Sequence, residues 1–399
     1  MISKENKPES NLKYLDGIRA IAALYVTLHH ASLQFDPNQV SSIGKIVIKL
    51  LRYGGLSVSL FIVLSGFCLM LSITKANYQI KGGAALFFKK RIIRILPPYY
   101  LAMALSMILI ETVVGAKTGT HWDISLGYGY KDIISHILLV HDFWESSLAT
   151  INHVFWSIAV EFRIYLFFPF LVYFWRKTGA LPTLGISVLL AFIMYTILVA
   201  VKTRVNDISL HEGVTPFIIL FVLGMIAADY SFSNRIKEKW ETKIPWGFLA
   251  VLSFLGYFVI LNLTYQQNVV DIGFGNKLKT SLFGIPCMCA LIAASRFSNT
   301  KTNWFQKFLA LKPLVFLGTF SYSLYLIHAP LIQLMTQLAG NIGLSTVTTL
   351  WFLLLLCITL IPAIAYIFFL ICERPFMSFG HKLRVIQADK ELKTEVANK

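Results

Sequence analysis

Arg19 and His30 lie in one hydrophobic stretch, LDGIRAIAALYVTLHH from Leu15 to His30, where each ionisable group is costly and a candidate for function. Their separation of eleven residues is about three helical turns, so both side chains project from one face roughly 16 Å apart. A guanidinium near one membrane surface suits a charged ligand, and an imidazole deeper in suits proton transfer. The pair predicts an anion-binding mouth that leads to an acid–base site.

Three other segments extend this chemistry. KKRIIRILPPYY, Lys89 to Tyr100, sets Arg91 and Arg94 on one helix face at the start of a hydrophobic span. Backbone N–H groups and the helix dipole there favour an anion such as a pyrophosphate. Pro97 and Pro98 are expected to interrupt the backbone ladder just inside the membrane. HVFWSIAVEFRIYLFFPF, His153 to Phe170, carries Glu161 about 12 Å below its outer edge. A carboxylate at that depth must be paired or protonated, and Arg163, two residues on, points to another face. FSYSLYLIHAPL, Phe320 to Leu331, places His328 at similar depth, with Ser321, Tyr322, Ser323 and Tyr325 on the approach.

Counting depth at 1.5 Å per residue puts His30, Glu161 and His328 in the outer half of the membrane, and Arg19, Arg91 and Arg94 at the cytoplasmic side. A long molecule with an anionic head and a reactive tip would bridge the two groups, and acyl-coenzyme A has that shape. A membrane transporter or flippase for a lipid-linked or small polar substrate would also carry intramembrane His, Glu and Arg, so the residues alone leave both readings open.

The elements that must position these groups follow from composition. Hydrophobic residues are 56% of 399 and charged residues 14%, arranged in long blocks, not stripes. The expected fold class is all-α: a polytopic integral membrane helical bundle of about ten transmembrane helices, with no appended soluble domain. Ten stretches reach bilayer-crossing length: 15–35, 54–74, 94–115, 153–175, 181–201, 213–230, 246–263, 279–295, 314–337 and 347–371. Continuous blocks exclude an alternating β-barrel pattern.

The net charge of +16 reports topology, not nucleic acid. Most Lys and Arg fall in the tails and even-numbered loops, which places both termini in the cytoplasm. The clusters Lys89, Lys90, Arg91, Arg94 and Arg235, Lys237, Lys239, Lys243 fit that rule. No cleavable signal peptide is expected, since the first hydrophobic block contains Arg19 and His30. Cys68, Cys287, Cys289, Cys357 and Cys372 read as small apolar residues in spans, with no disulfide and no metal site. Residues 116–152 form one long outer loop with His121, Trp122, Tyr128, Tyr130, His136, His141, Asp142, Phe143, Trp144 and Asn152. It suits a carbohydrate-binding surface or a cover over a cavity, and equally an ordinary solvated loop.

Several motifs occur together and in order: Leu15-Asp16-Gly17-Ile18-Arg19 with His30; Phe61 to Phe67 as FIVLSGF; Arg91-Ile92-Ile93-Arg94; Trp156-Ser157 with Glu161; Ser321 to His328 as SYSLYLIH; and Glu373-Arg374-Pro375. With them the chain resembles the membrane acyltransferases of the acyltransferase-3 type, which modify bacterial surface polysaccharides and other hydroxylated acceptors. The resemblance runs from about residue 12 to 376.

This resemblance implies an acyl-CoA-dependent O-acyltransferase in the bacterial inner cell membrane. It divides the chain into a cytoplasmic tail (1–14), a membrane acyltransferase domain (15–376) and a charged cytoplasmic tail (377–399). His30 falls on the family's proposed catalytic base, and Arg19, Arg91 and Arg94 on its conserved arginines, here expected to hold the donor's phosphates. Glu161 is expected to orient the His30 imidazole or stabilise its imidazolium. Ser65, Tyr322, His328 and Trp156 are candidate substrate-binding residues. No cofactor is expected to be permanently bound; acyl-CoA, with acetyl the leading acyl group, is a co-substrate. The expected partners are the lipid bilayer and an acceptor that is a polysaccharide, a lipid-linked sugar or another hydroxylated molecule. Transfer within the membrane domain is expected in place of relay to a second domain, a transiently acylated His30 stays open as a variant, and oligomeric state is not legible.

Overall fold

Apolar runs of this length can satisfy their backbone groups in lipid only by internal hydrogen bonds, so they form helices. The computed structural model describes residues 12–210, 215–233, 244–266, 274–297 and 304–377. Sixteen α-helices follow one another among them: α1 (Lys13–Ser32), α2 (Ser42–Leu51), α3 (Leu56–Thr74), α4 (Gly83–Leu109), α5 (Tyr130–Ile137), α6 (Trp156–Thr178), α7 (Ala180–Lys202), α8 (Thr215–Phe232), α9 (Trp246–Gln266), α10 (Phe274–Leu282), α11 (Gly284–Phe297), α12 (Trp304–Leu309), α13 (Lys312–Thr319), α14 (Ser321–Asn341), α15 (Thr346–Ile358) and α16 (Leu360–Phe368). No strand occurs among the described residues. The basic cluster from Arg235 to Lys243, residues 1–11 of the first tail and residues 378–399 of the last lie outside them.

Eight of these stretches are long and apolar enough to cross a membrane, and nine if α13 and α14, bent by 75°, are one broken span. The chain is therefore a polytopic helical membrane bundle. The first expected span is the exception. Helix α1 carries Asp16, Arg19, His29 and His30 and is not among those eight or nine, yet it packs against α3, α13, α14 and α15. Its polar groups face protein, where they find partners.

The centre of the bundle is the crossing of α3 with α8. A Cβ on Gly66 would stand 2.0 Å from the carbonyl oxygen of Phe221, and one on Gly224 would stand 2.0 Å from that of Val63. Only two glycines allow the backbones this close, and small residues commonly let membrane helices approach. The FIVLSGF motif thus divides its work by face. Gly66 meets α8, Phe67 is fully buried, and Ser65 turns the other way. Helix α8 is buried nearly all round, whereas α7 and α9 leave their apolar faces exposed, as lipid-facing helices do.

Pro97 and Pro98 do not end the helix. Helix α4 runs through both to Leu109 and closes on a π-helical turn, Ile110–Val114. The long loop, residues 116–152, is also not a solvated strand of chain. It folds into short helical turns around α5, with Trp122, His136, His141, Asp142 and Asn152 all buried. Asn152 donates to Ser106 Oγ (3.2 Å) and to the Leu326 carbonyl (3.1 Å). Arg163 finds its partner here, in a bidentate pair with Asp142, and also donates to the Leu139 carbonyl (2.6 Å).

Candidate active site

Five motifs, drawn from α1, α3, α4, α6 and α14, converge on one cavity of about 310 Å³. Arg19, Ser65, Arg91, Arg94, Glu161 and Tyr322 all line it, together with Phe61, Cys68, Ser157, Tyr165 and Tyr325. Contacts between helices fix the order of these residues along it. At one end Arg19 donates to Cys68 Sγ (3.0 Å) and to Asp16 (2.8 Å), and Arg91 lies over the ring of Tyr165 at 5.7 Å. One turn along, Ser65 donates to Glu161 (2.5 Å), and Tyr322 donates to the Ile95 carbonyl (3.0 Å). One turn further, Tyr325 shares a 2.7 Å hydrogen bond with Ser157, and its ring meets Phe61 edge-on at 6.1 Å.

Beyond Tyr325 stand His30 and His328. Their ring nitrogens Nδ1 and Nε2 are 2.8 Å apart, and neither residue lines the cavity. Helices α1 and α14 run in the same direction, since Asp16 abuts Gly318 in α13, three residues before α14 begins, and His30 meets His328 further along both. The Tyr325 ring lies 5.6 Å from that of His328.

The hydrogen bonds of this pair assign its protons. His328 Nδ1 sits 2.7 Å from the Tyr325 carbonyl and 3.2 Å from that of Leu324. Carbonyls only accept, so Nδ1 carries the hydrogen and neutral His328 accepts at Nε2. His30 therefore donates from Nδ1, which leaves its Nε2 lone pair free to take a proton. The partner that orients His30 is thus His328. Glu161, expected in that role, hydrogen-bonds Ser65 and Tyr165 instead and belongs to the middle of the cavity.

Sequence reasoning misses the residues that complete this arrangement. Tyr165, four residues after Glu161 and so on its face, carried a legible signal. His29 stands beside His30 on α1 and was visible in the sequence; His121 and His153 carried no such signal, because the loop brings them in. The rings of His29 and His153 lie 5.1 Å from that of His30, and His121 is 5.0 Å from His153. Among the described residues no group of three His, Cys, Asp or Glu could hold a metal ion. Trp156 starts α6 and packs on Phe217 at 5.7 Å, away from the cavity lining. The last motif is structural at its first residue: Glu373, 2% exposed, accepts from Ser323 (2.5 Å).

A family model described as an acyltransferase domain matches residues 12–368. The chain belongs to the acyltransferase-3 family. Acyltransferase-3 relatives include the O-acetyltransferase OatA of Staphylococcus aureus strain NCTC 8325 / PS 47, 25% identical over 344 residues, covering 80% of this chain and 50% of that protein. The putative O-acetyltransferase SACOL0978 of S. aureus strain COL is 26% identical over 344 residues, with the same coverage. The chain spans about half the length of the curated relatives it matches. No solved structure matches it. Membership of this acyltransferase family does not favour the transporter or flippase reading.

Proposed function

We propose that this chain transfers an acyl group, most simply acetyl, from cytoplasmic acyl-CoA to a hydroxyl of a carbohydrate-type acceptor on the extracytoplasmic side of a bacterial cell membrane. The observation that carries this reading is the cavity's polarity: three guanidinium groups at one end, and an imidazole pair just past the other. Relatives named as O-acetyltransferases support the reaction class, and the basic even-numbered loops support cytoplasmic termini and a cytoplasmic arginine end.

In this reading Arg19, Arg91 and Arg94 hold the donor's phosphates by charge-assisted hydrogen bonds. The pantetheine arm runs past Ser65 and Glu161, whose carboxylate can accept from its amide N–H groups. The thioester carbonyl then lies beside Tyr325. His30 Nε2 takes the proton of the acceptor hydroxyl as its oxygen attacks that carbonyl. The tetrahedral intermediate collapses, the ester forms, and coenzyme A leaves as the thiolate. The imidazolium, with its Nδ1–H still held by His328, returns the proton to the thiolate.

The test is coenzyme A release from acetyl-CoA by the purified full chain in membranes, with and without a cell-envelope glycan extract. Acceptor-dependent release supports the reading. Substrate transport that proceeds without any thioester, and no coenzyme A release with acetyl or longer donors, would replace it with the transporter alternative.

A further inference from the structure

We propose that Phe61 and Tyr325 form the wall that ends the donor cavity on its histidine side and so limit the transferred acyl group to a short one. The inference rests on the acyl-CoA reading above and names the residues that set donor specificity.

Three helices agree on where the wall stands. Phe61 is four residues from Ser65 on α3, Ser157 is four residues from Glu161 on α6, and Tyr325 is three residues from Tyr322 on α14. Each is therefore one turn nearer the histidines than the Ser65–Glu161 hydrogen bond. The two rings meet edge-on, at 6.1 Å and 70°, an arrangement that aromatic pairs favour. Tyr325 is 6% exposed, and its hydroxyl is held twice, by Ser157 Oγ at 2.7 Å and by the Val154 carbonyl at 3.1 Å. The ring is thus fixed in place. Its other neighbour is His328, 5.6 Å away. On α3 only Val58 lines the cavity beyond Phe61.

A thioester carbonyl that meets a hydroxyl held by His30 must lie at this layer. Carbons of the acyl group beyond it then face the two rings and Val58, where a methyl fits and a long chain does not. Misfit methylenes in an apolar pocket cost about tenfold or more in specificity each.

The experiment compares kcat/KM for acetyl-, butyryl- and octanoyl-CoA, read as coenzyme A release with the envelope glycan extract, in wild type, Phe61→Ala, Phe61→Leu and Tyr325→Phe. Wild type is expected to fall steeply from acetyl to octanoyl. Phe61→Ala should raise the octanoyl-to-acetyl ratio at least tenfold, with Phe61→Leu between; the milder variant serves if the alanine variant fails to fold. Tyr325→Phe keeps the ring but loses both hydrogen bonds that fix it, and should raise the ratio less than Phe61→Ala does. Wild type that uses octanoyl-CoA as well as acetyl-CoA, or a Phe61 variant that uses acetyl-CoA with an unchanged ratio, overturns the wall. Wild type that releases no coenzyme A from any donor overturns the donor reading, and this inference with it.

Discussion

His30 Nδ1 and His328 Nε2 are 2.8 Å apart although the residues are separated by 298 positions in sequence. The backbone carbonyls behind His328 orient this pair, because they force its hydrogen onto Nδ1. The free lone pair of His30 is a consequence of two main-chain acceptors on α14. A test follows from replacing His328. His328→Leu removes the acceptor and should lower kcat by about 10²-fold or more, as losing the group that fixes a catalytic tautomer does. His328→Gln offers an amide oxygen to the same N–H and should recover part of that loss. Equal kcat values for the two variants would show that the hydrogen bond does not orient the base.

In the proposed reading Arg91 contacts the donor and not the acceptor. Arg91→Ala should raise the KM for acyl-CoA by about 10–100-fold, the worth of one or two charge-assisted hydrogen bonds, and leave the acceptor KM alone. Arg91→Lys should recover little, since a point charge does not reproduce a planar fork. Measuring both KM values on one preparation separates donor binding from general damage.

Much of this was legible in the sequence, and the reason is periodicity. Arg19 with His30, Arg91 with Arg94, and Tyr322 with His328 are each on one helix, so spacing alone predicts their shared face or relative depth. Relations between helices were not legible. Glu161 was assigned to His30 because both lie at similar depth, whereas packing turns it toward Ser65 and Tyr165. Arg163 gave no hint of Asp142, because that contact depends on the fold of a loop. The first helix reads as a span by its length, but it is not among the helices apolar enough to cross a membrane, and its place is set by its neighbours.

Gly66 is predicted to be indispensable for folding and not for chemistry. Gly66→Ala places a methyl 2.0 Å from a backbone oxygen, which no side-chain rearrangement can relieve. Overpacking costs about 1–3 kcal/mol where neighbours can yield, and here they cannot. The variant should show a lower Tm or fail to reach the membrane in folded form, as read by thermal unfolding in detergent. A wild-type Tm would contradict the close α3–α8 crossing.

The long loop of residues 116–152 should weaken in acid. Burial lowers His136 from 6.5 to about 4 and holds His141 well below its ordinary value; the two rings stack at 3.8 Å. Between pH 6.5 and about 4 the unfolded loop binds protons that the folded loop excludes, so stability rises with pH across that window and is lost as pH falls through it. Protection of loop amides from hydrogen exchange should therefore drop between pH 6.5 and 4, after correction for intrinsic exchange. His136→Phe, which stacks but does not titrate, should flatten the dependence, and an unchanged slope would assign it elsewhere.

The most direct test of the whole account is transfer of radiolabelled acetyl from acetyl-CoA onto a base-labile ester of the envelope glycan extract, comparing wild type with His30→Ala. Coenzyme A binding is measured on both. His30→Ala is expected to bind coenzyme A like wild type, because His30 does not line the cavity, and to transfer label about 10²–10⁴-fold more slowly. Transfer at the wild-type rate by a folded His30→Ala protein would contradict it.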